Sequence, residues 1–326
     1  MPKPIAFMPI VLLAAALTAC TAPTGPATTT EPAVTVRVAS LKGPTTMGLV
    51  HLMDLSDKGT AKQNYTFDVE GTPDAVSVPL VAGQIDIALL PINLASVLYN
   101  KTNGGVQLAA VNTLGVLYVI TTDPAVIQLQ DLDGRTVLNT GQGTTPQFVL
   151  DKVLAGSHLT NVTVDYRSQA TEVASVFAST PNTTAVLPEP YVTAALAANP
   201  SARIVADLNN AWQSITGSPL VTGCVVVRTA FAQQYNRMVT TFMSEYADSV
   251  AFTNDNPTDA APLIVAQGLA PNEQVAAAAI PRAHIVMMTG DDAKTAVAAY
   301  LSVLFAADPT SVGGSLPGDD FYYPAS

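Results

Sequence analysis

Short apolar runs rich in Val and Ile recur along the chain: Val34 to Ala39, Ile85 to Leu90, Val106 to Val111, Thr136 to Asn139, Val162 to Asp165, Thr184 to Leu187 and Arg203 to Ala206. Segments of helical period separate them, with Met47, Val50 and Met53 on one stripe and Val149 and Val153 on another. Strands that alternate with helices predict parallel βαβ units. Helix boundaries are punctuated: Thr72-Pro73 reads as an N-cap with proline at the first helical position and Gly83 closes that helix, while Thr145-Pro146 and Gly156 bracket a second one. Pro79 inside the first of these predicts a kink or an early end. Two apolar stretches, Thr113 to Thr122 and Pro219 to Arg228, lie between αβ blocks and are long enough to join two domains. From Thr229 onward the pattern turns mostly helical. A long helix is expected from near Thr229, another after Thr258 and a third from Asp291 to Ala306, with Met238, Phe242 and Tyr246 on a core-facing stripe.

Composition narrows this picture. Of 326 residues 48% are apolar and 12% charged, which excludes a disordered chain. Mean hydropathy is +0.32, yet beyond the N-terminus no run approaches the roughly 18 to 20 apolar residues of a spanning helix. The apolar surplus therefore belongs to a packed core, and the length predicts two domains. A net charge of −11, with only 14 Lys and Arg, argues against nucleic acid as a partner.

The first 19 residues combine a charged start at Lys3, an apolar run from Ile5 to Ala16 and small residues before Cys20, the pattern of a secretory signal. Leu17-Thr18-Ala19-Cys20 resembles the bacterial lipobox, in which the cysteine is lipidated and becomes the new N-terminus. Residues 20–32, dominated by Thr, Pro and Ala, then read as a tether. Only Cys224 remains beyond Cys20, so the cleaved chain forms no internal disulfide, and its setting in VTGCVVV reads as a small buried hydrophobe.

Ligands of open sheets bind beyond the carboxyl ends of strands, where loops lead into helix N-termini. Four such loops stand out. Leu41 to Gly48 offers Lys42, Thr45 and Thr46; Pro91 to Asn93 offers Asn93; Thr140 to Pro146 is glycine-rich and carries Gly143, Thr144 and Thr145; Leu187 to Tyr191 fixes Glu189 between two prolines. Each residue also has a plainer role, as a cap, a turn or a solvated charge. GQGTT has no following lysine, so it is no phosphate loop, and it lacks the third glycine of a dinucleotide fingerprint. The three histidines His51, His158 and His284 are scattered without ligand spacing, and no G-x-S-x-G nucleophile elbow occurs. Neither a metal, a cofactor nor a catalytic constellation is expected.

In order along the chain, SLKGPTTMGLVHLM, GQIDIALLPINLASVLYNK, TLGVLYVIT, GQGTTPQFVLDKVL, LPEPYVTAAL and GGSLPGDDFYYP resemble the substrate-binding lipoproteins of ABC importers. The likeness is to the branch similar to nitrate, sulfonate, taurine and pyrimidine-precursor binding proteins. It implies a two-lobed type II periplasmic-binding-protein fold, each lobe a mostly parallel sheet flanked by helices, joined by two crossover strands. By position, residues 33–115 plus 225–326 would form lobe I and residues 116–224 lobe II. Lys42, Thr45, Thr46, Asn93, Gly143, Thr144, Thr145 and Glu189 would face the cleft, with Tyr118 at its floor. The implied activity is capture of a small polar solute by a monomer that is not an enzyme, held to the membrane by a lipid anchor alone and delivering to an ABC permease and ATPase. With no arginine at a cleft loop, a zwitterion or polar heterocycle is expected over a simple oxyanion. Enzymes similar to chorismate dehydratase or pyrimidine synthase share the fold, and a tethered ligand sensor would use the same lobes.

Overall fold

A computed structural model describes residues 1–2 and 34–324. The signal peptide, Cys20 and the tether fall outside the described residues. From Val34 onward the chain packs as one unit containing two sheets.

The first run builds β1 (Thr35–Leu41), α1 (Pro44–Met47), α2 (Val50–Asp57), β2 (Asn64–Glu70), α3 (Pro73–Val81), β3 (Ile87–Pro91), α4 (Ile92–Lys101) and β4 (Val106–Leu114). A second sheet follows from β5 (Leu117–Thr121), β6 (Thr136–Thr140), α5 (Thr145–Gly156), β7 (Thr163–Arg167), α6 (Ala170–Ser179), β8 (Thr184–Pro188), α7 (Tyr191–Ala198), β9 (Arg203–Asp207) and α8 (Leu208–Thr216). The chain then returns through β10 (Val221–Arg228) into α9 (Thr229–Gln234), α10 (Asn236–Asp255), α11 (Pro257–Ala266), α12 (Glu273–Ala279), β11 (Ile285–Met288) and α13 (Gly290–Ala307).

The six-stranded sheet has the order β11-β4-β10-β3-β1-β2 and the five-stranded sheet the order β7-β6-β8-β5-β9. Most strands of each sheet run in one direction, as expected from sequence, and each sheet also carries antiparallel strands, so both are mixed. The antiparallel pairs arise where β10 inserts between β3 and β4, where β5 inserts between β8 and β9, and where β11 lines the outer edge of β4. Pairs within each αβ run, β1 with β2 and β3 and β6 with β7 and β8, are parallel, as crossover helices require.

Several expected elements change at their ends. The long apolar stretch 113–122 is two strands, β4 and β5, broken at Gly115-Val116 where the chain passes from one sheet to the other. A Cβ on Gly115 would lie 2.5 Å from the Asn209 Cβ, so the crossing point accepts only glycine. The long helix from Thr229 is interrupted at Tyr235, whose φ of −129° and ψ of 44° are not helical, giving α9 and α10. Pro79 does not end α3, which runs on to Val81; the Pro79 carbonyl then accepts the amides of Gln84 and Ile85 as the chain turns at Gly83.

The core is continuous between the sheets. Trp212 of α8 and Tyr300 of α13, both fully buried, lie with ring centroids 5.4 Å apart, and Val149 and Val153 of α5 join the same apolar cluster as Val297 and Leu301 of α13. Met238, Phe242 and Tyr246 of α10 pack in a second cluster under the first sheet, with the Phe242 and Tyr246 rings stacked 5.6 Å apart. Cys224 is buried, its thiol directed at the Leu90 carbonyl 3.4 Å away, and burial pushes it well above the ordinary thiol range. Among the described residues no helix is long and apolar enough to cross a membrane.

Candidate functional site

The carboxyl ends of β1, β3, β6, β7 and β8 open on one cavity of about 1200 Å³ between the two sheets. Its walls are the loops from these strands, joined by residues 268–271 between α11 and α12 and by Asp308, Thr310 and Ser311 after α13. A cavity of this size has ample room for a small organic molecule.

Among the helices that begin at this wall are α4 from the first sheet and α5, α6 and α7 from the second. At α4, α5 and α6 no side chain caps the N-terminal amides, whereas at α7 the Glu189 carboxylate accepts the Thr193 amide at 3.1 Å. Uncapped amides carry the positive end of the helix dipole, so the wall favours the negative part of a ligand. Lys42 adds the one cationic side chain among the described lining residues and Asp308 the one carboxylate. Asp308 accepts from the Thr310 amide at 2.9 Å and from the Thr310 hydroxyl at 2.8 Å and 2.9 Å on its two oxygens, which caps the turn after α13 at the cavity wall.

The glycine-rich loop is shaped by its own short contacts. Gly141 sits at φ +66°, and a Cβ there would fall 2.1 Å from the Thr144 Oγ1. That hydroxyl donates to the Gly141 carbonyl at 2.6 Å, while the Gly143 amide donates to Gln147 Oε1 at 2.7 Å. Asn139, buried beneath, donates from Nδ2 to the Pro146 carbonyl at 3.2 Å and accepts the Thr140 amide at 2.8 Å. Thr140 is buried, lines the cavity and has a hydroxyl with no hydrogen bond among the described residues. Across the cavity floor, the Thr145 hydroxyl of α5 donates to Asn93 Oδ1 of α4 at 3.2 Å, a direct bond between the two sheets' helices.

Of the residues singled out from sequence, Lys42, Asn93, Gly143, Thr144 and Thr145 line this cavity. The other four lie outside its lining. The Thr46 hydroxyl is buried, 2.6 Å from Ser40 Oγ and donating to the Leu41 carbonyl at 2.7 Å, so it braces the loop from below. The Thr45 carbonyl accepts from Asn112 Nδ2 at 3.1 Å. Tyr118, expected at the cleft floor, is buried and donates to the Arg282 carbonyl at 2.9 Å; burial, with Asp207 and Glu189 nearby, pushes its phenol well above the usual range. Glu189 is fully buried, and its carboxylate is taken up by protein partners: Thr193 and Arg282. The expectation that it would face a ligand as a free carboxylate does not fit this packing, because a fully buried charge is held by partners rather than presented.

Sequence reasoning passed over Ser168, Gln169 and Thr171 at the start of α6, the Gly268 to Pro271 loop, and Asp308. The first group had a signal, since it follows the strand Val162 to Asp165; the others follow helices and had none. His51 stacks on Phe252 at 3.8 Å, and neither His158 nor His284 lines the cavity. Among the described residues no group of His, Cys, Asp and Glu is placed to hold a metal ion.

The sequence model of one protein family, described as menaquinone biosynthesis, matches residues 44–302. No curated protein matches the chain. Among solved structures, an ABC transporter protein from Parabacteroides distasonis superposes with a TM-score of 0.77 at 24% identity, over 90% of this chain and 99% of that one. The periplasmic aliphatic sulphonate binding protein of Escherichia coli gives 0.72 at 14% identity, over 91% and 94% of the two chains. The alkanesulfonate-binding protein of Xanthomonas axonopodis pv. citri, bound to MOPS, gives 0.64 at 18%, over 88% and 96%. At these identities the likeness establishes the fold, that of periplasmic binding proteins.

Proposed function

Because the chain belongs to the menaquinone-biosynthesis family and has the fold of importer binding proteins, we propose that it captures a small organic solute bearing an acidic group in the cavity between its sheets. Lys42, Asn93, Gly143, Thr144 and Thr145 contact the solute, as does Thr140. The observation that carries this reading is the convergence on one cavity of three uncapped helix starts, α4 from the first sheet and α5 and α6 from the second. A ligand that touches both walls stabilises the arrangement in which they approach, so binding shifts the population toward closure. Residues 33–115 plus 225–326 and residues 116–224 are the two bodies that move. An ABC permease and ATPase receive the closed, loaded monomer, which a lipidated Cys20 holds at the outer face of the cell membrane.

The acidic group meets the helix starts and Lys42. Asp308 takes over the role first expected of Glu189, accepting from an amine or another donor on the same solute. Isothermal titration against amino-sulfonates, thiamine precursors and simple oxyanions tests this, together with native mass spectrometry of the purified protein for carried-over solute. Retention of an organic acid supports the reading; binding of simple oxyanions alone overturns it. Cys20→Ala is expected to move the protein from the membrane to the soluble fraction, and unchanged fractionation overturns the anchor.

The family's own description favours a second reading, an enzyme of menaquinone biosynthesis working in the same cavity. Incubation with chorismate followed by mass spectrometry separates the two: loss of the acid with appearance of a dehydrated product establishes the enzyme, and recovery of an unchanged, bound acid establishes capture.

A further inference from the structure

The crossing from β4 to β5 runs against one turn of the chain. Residues 280–284 lead from α12 into β11 of the first sheet, and at this turn Arg282 bonds to the other half of the molecule through both its backbone and its side chain. The Arg282 carbonyl accepts the Tyr118 hydroxyl of β5 at 2.9 Å. The Arg282 guanidinium donates through Nε to Glu189 Oε1 at 2.5 Å and through Nη2 to the Thr193 hydroxyl at the start of α7. Glu189 Oε2 accepts from the Thr193 amide at 3.1 Å and hydroxyl at 2.7 Å, so both carboxylate oxygens are committed. On the crossing segment itself, the Leu114 amide donates to the His284 carbonyl at 3.1 Å, the His284 ring bonds the Gly115 carbonyl, and the Glu189 amide donates to the Val116 carbonyl at 3.2 Å.

We infer that Arg282 and Glu189 are positioning residues that latch the two sheets together behind the cavity and so set its width. Neither residue lines the cavity. The inference rests on the reading that this cavity holds a solute between two moving walls. An ion pair with one fully buried member is a poor source of net stability, since desolvation offsets much of the attraction, but it specifies geometry because the alternative is an unpaired buried charge. The rigid guanidinium fork, held at once by a carboxylate and a hydroxyl on the same turn, fixes an angle that a single contact leaves free. Rotation of the second sheet away from the first would have to part these bonds, whereas the apolar contact of Trp212 with Tyr300 can slide.

The test uses the full-length, unliganded protein in a Cys20→Ala background, in which Cys224 is buried and unreactive. Spin labels on Asp74→Cys and Thr171→Cys flank Pro73 and Ala170, which line opposite walls of the cavity, and pulsed electron resonance reads the distance between them. Two variants are compared with the wild type: Glu189→Gln, which keeps the shape of the carboxylate and removes its charge, and Glu189→Gln with Arg282→Met, which removes both charges and leaves no unpaired ion. The latch predicts a distance distribution that broadens and shifts to longer separations, modestly in the single variant and more in the double one. If both variants melt as the wild type does and give its distribution unchanged, the latch is overturned. Since no solute is present, failure of the capture reading leaves this outcome untouched.

Discussion

A methyl group at position 141 has no room: the Cβ would sit 2.1 Å from the Thr144 hydroxyl at a φ of +66° that disfavours any side chain. Gly141→Ala is therefore expected to cost about 1 to 3 kcal/mol of stability, read by thermal melting, and to weaken solute retention because the loop carrying Gly143 and Thr144 is displaced. Thr145→Val removes the donor to Asn93 Oδ1 and leaves that buried oxygen unpaired, a loss of about 1 to 3 kcal/mol to be seen in melting and in titration alike. Asp86 supplies the pH dependence. Burial pushes its carboxyl up, but hydrogen bonds from Arg37 and Arg228 outweigh this and hold it below the usual carboxylate range. A carboxyl depressed in the folded state stabilises fully above its unfolded value, and that contribution disappears as pH falls through the folded one. The stability gap between wild type and Asp86→Asn should accordingly be widest at neutral pH and close progressively below about pH 4; a gap independent of pH in denaturant titrations would refute the assignment. Glu189 marks the limit of reading residues singly. Its place between two prolines at a strand end was visible, but its partner Arg282 is 93 residues further along the chain.

At the scale of elements, the periodic pattern located the αβ runs and most helix starts, because capping signals and proline positions are local. It passed over β2 and β11. β2 alternates Tyr65, Phe67 and Val69 with polar residues and lies at a sheet edge, where half the side chains face outward; β11 is four residues within a helical region. It also joined α9 to α10, whose break at Tyr235 leaves the apolar stripe uninterrupted. The packing of α13 on α8 was not legible at all, since no local pattern pairs Tyr300 with Trp212. Tyr300→Ala is expected to destabilise by about 3 to 5 kcal/mol, the usual range for emptying a large aromatic site, and to redden the emission of Trp212, the chain's only tryptophan. A melt close to wild type would show that this contact between the halves is dispensable.

For the whole molecule, the apolar cluster that runs from α5 and α8 into α13 links the two sheets through a shared core. Scanning calorimetry should therefore show one cooperative transition for the folded region, and two resolved transitions would mean that the halves unfold independently. Hydropathy, charge and the order of strand and helix signals were sufficient to fix an αβ molecule with its candidate site at strand carboxyl ends, because these are properties of neighbours in sequence. Lys42, Asn93 and the Thr140 to Thr145 loop, which line the cavity, were singled out on those grounds. Which strands run antiparallel, how α13 reaches the second half, and whether a given carboxylate faces solute or an arginine depend on contacts between residues far apart along the chain. No window of sequence contains those contacts, so tertiary packing alone turned Glu189 from a presumed ligand contact into a buried ion-pair partner and left Asp308 at the cavity rim.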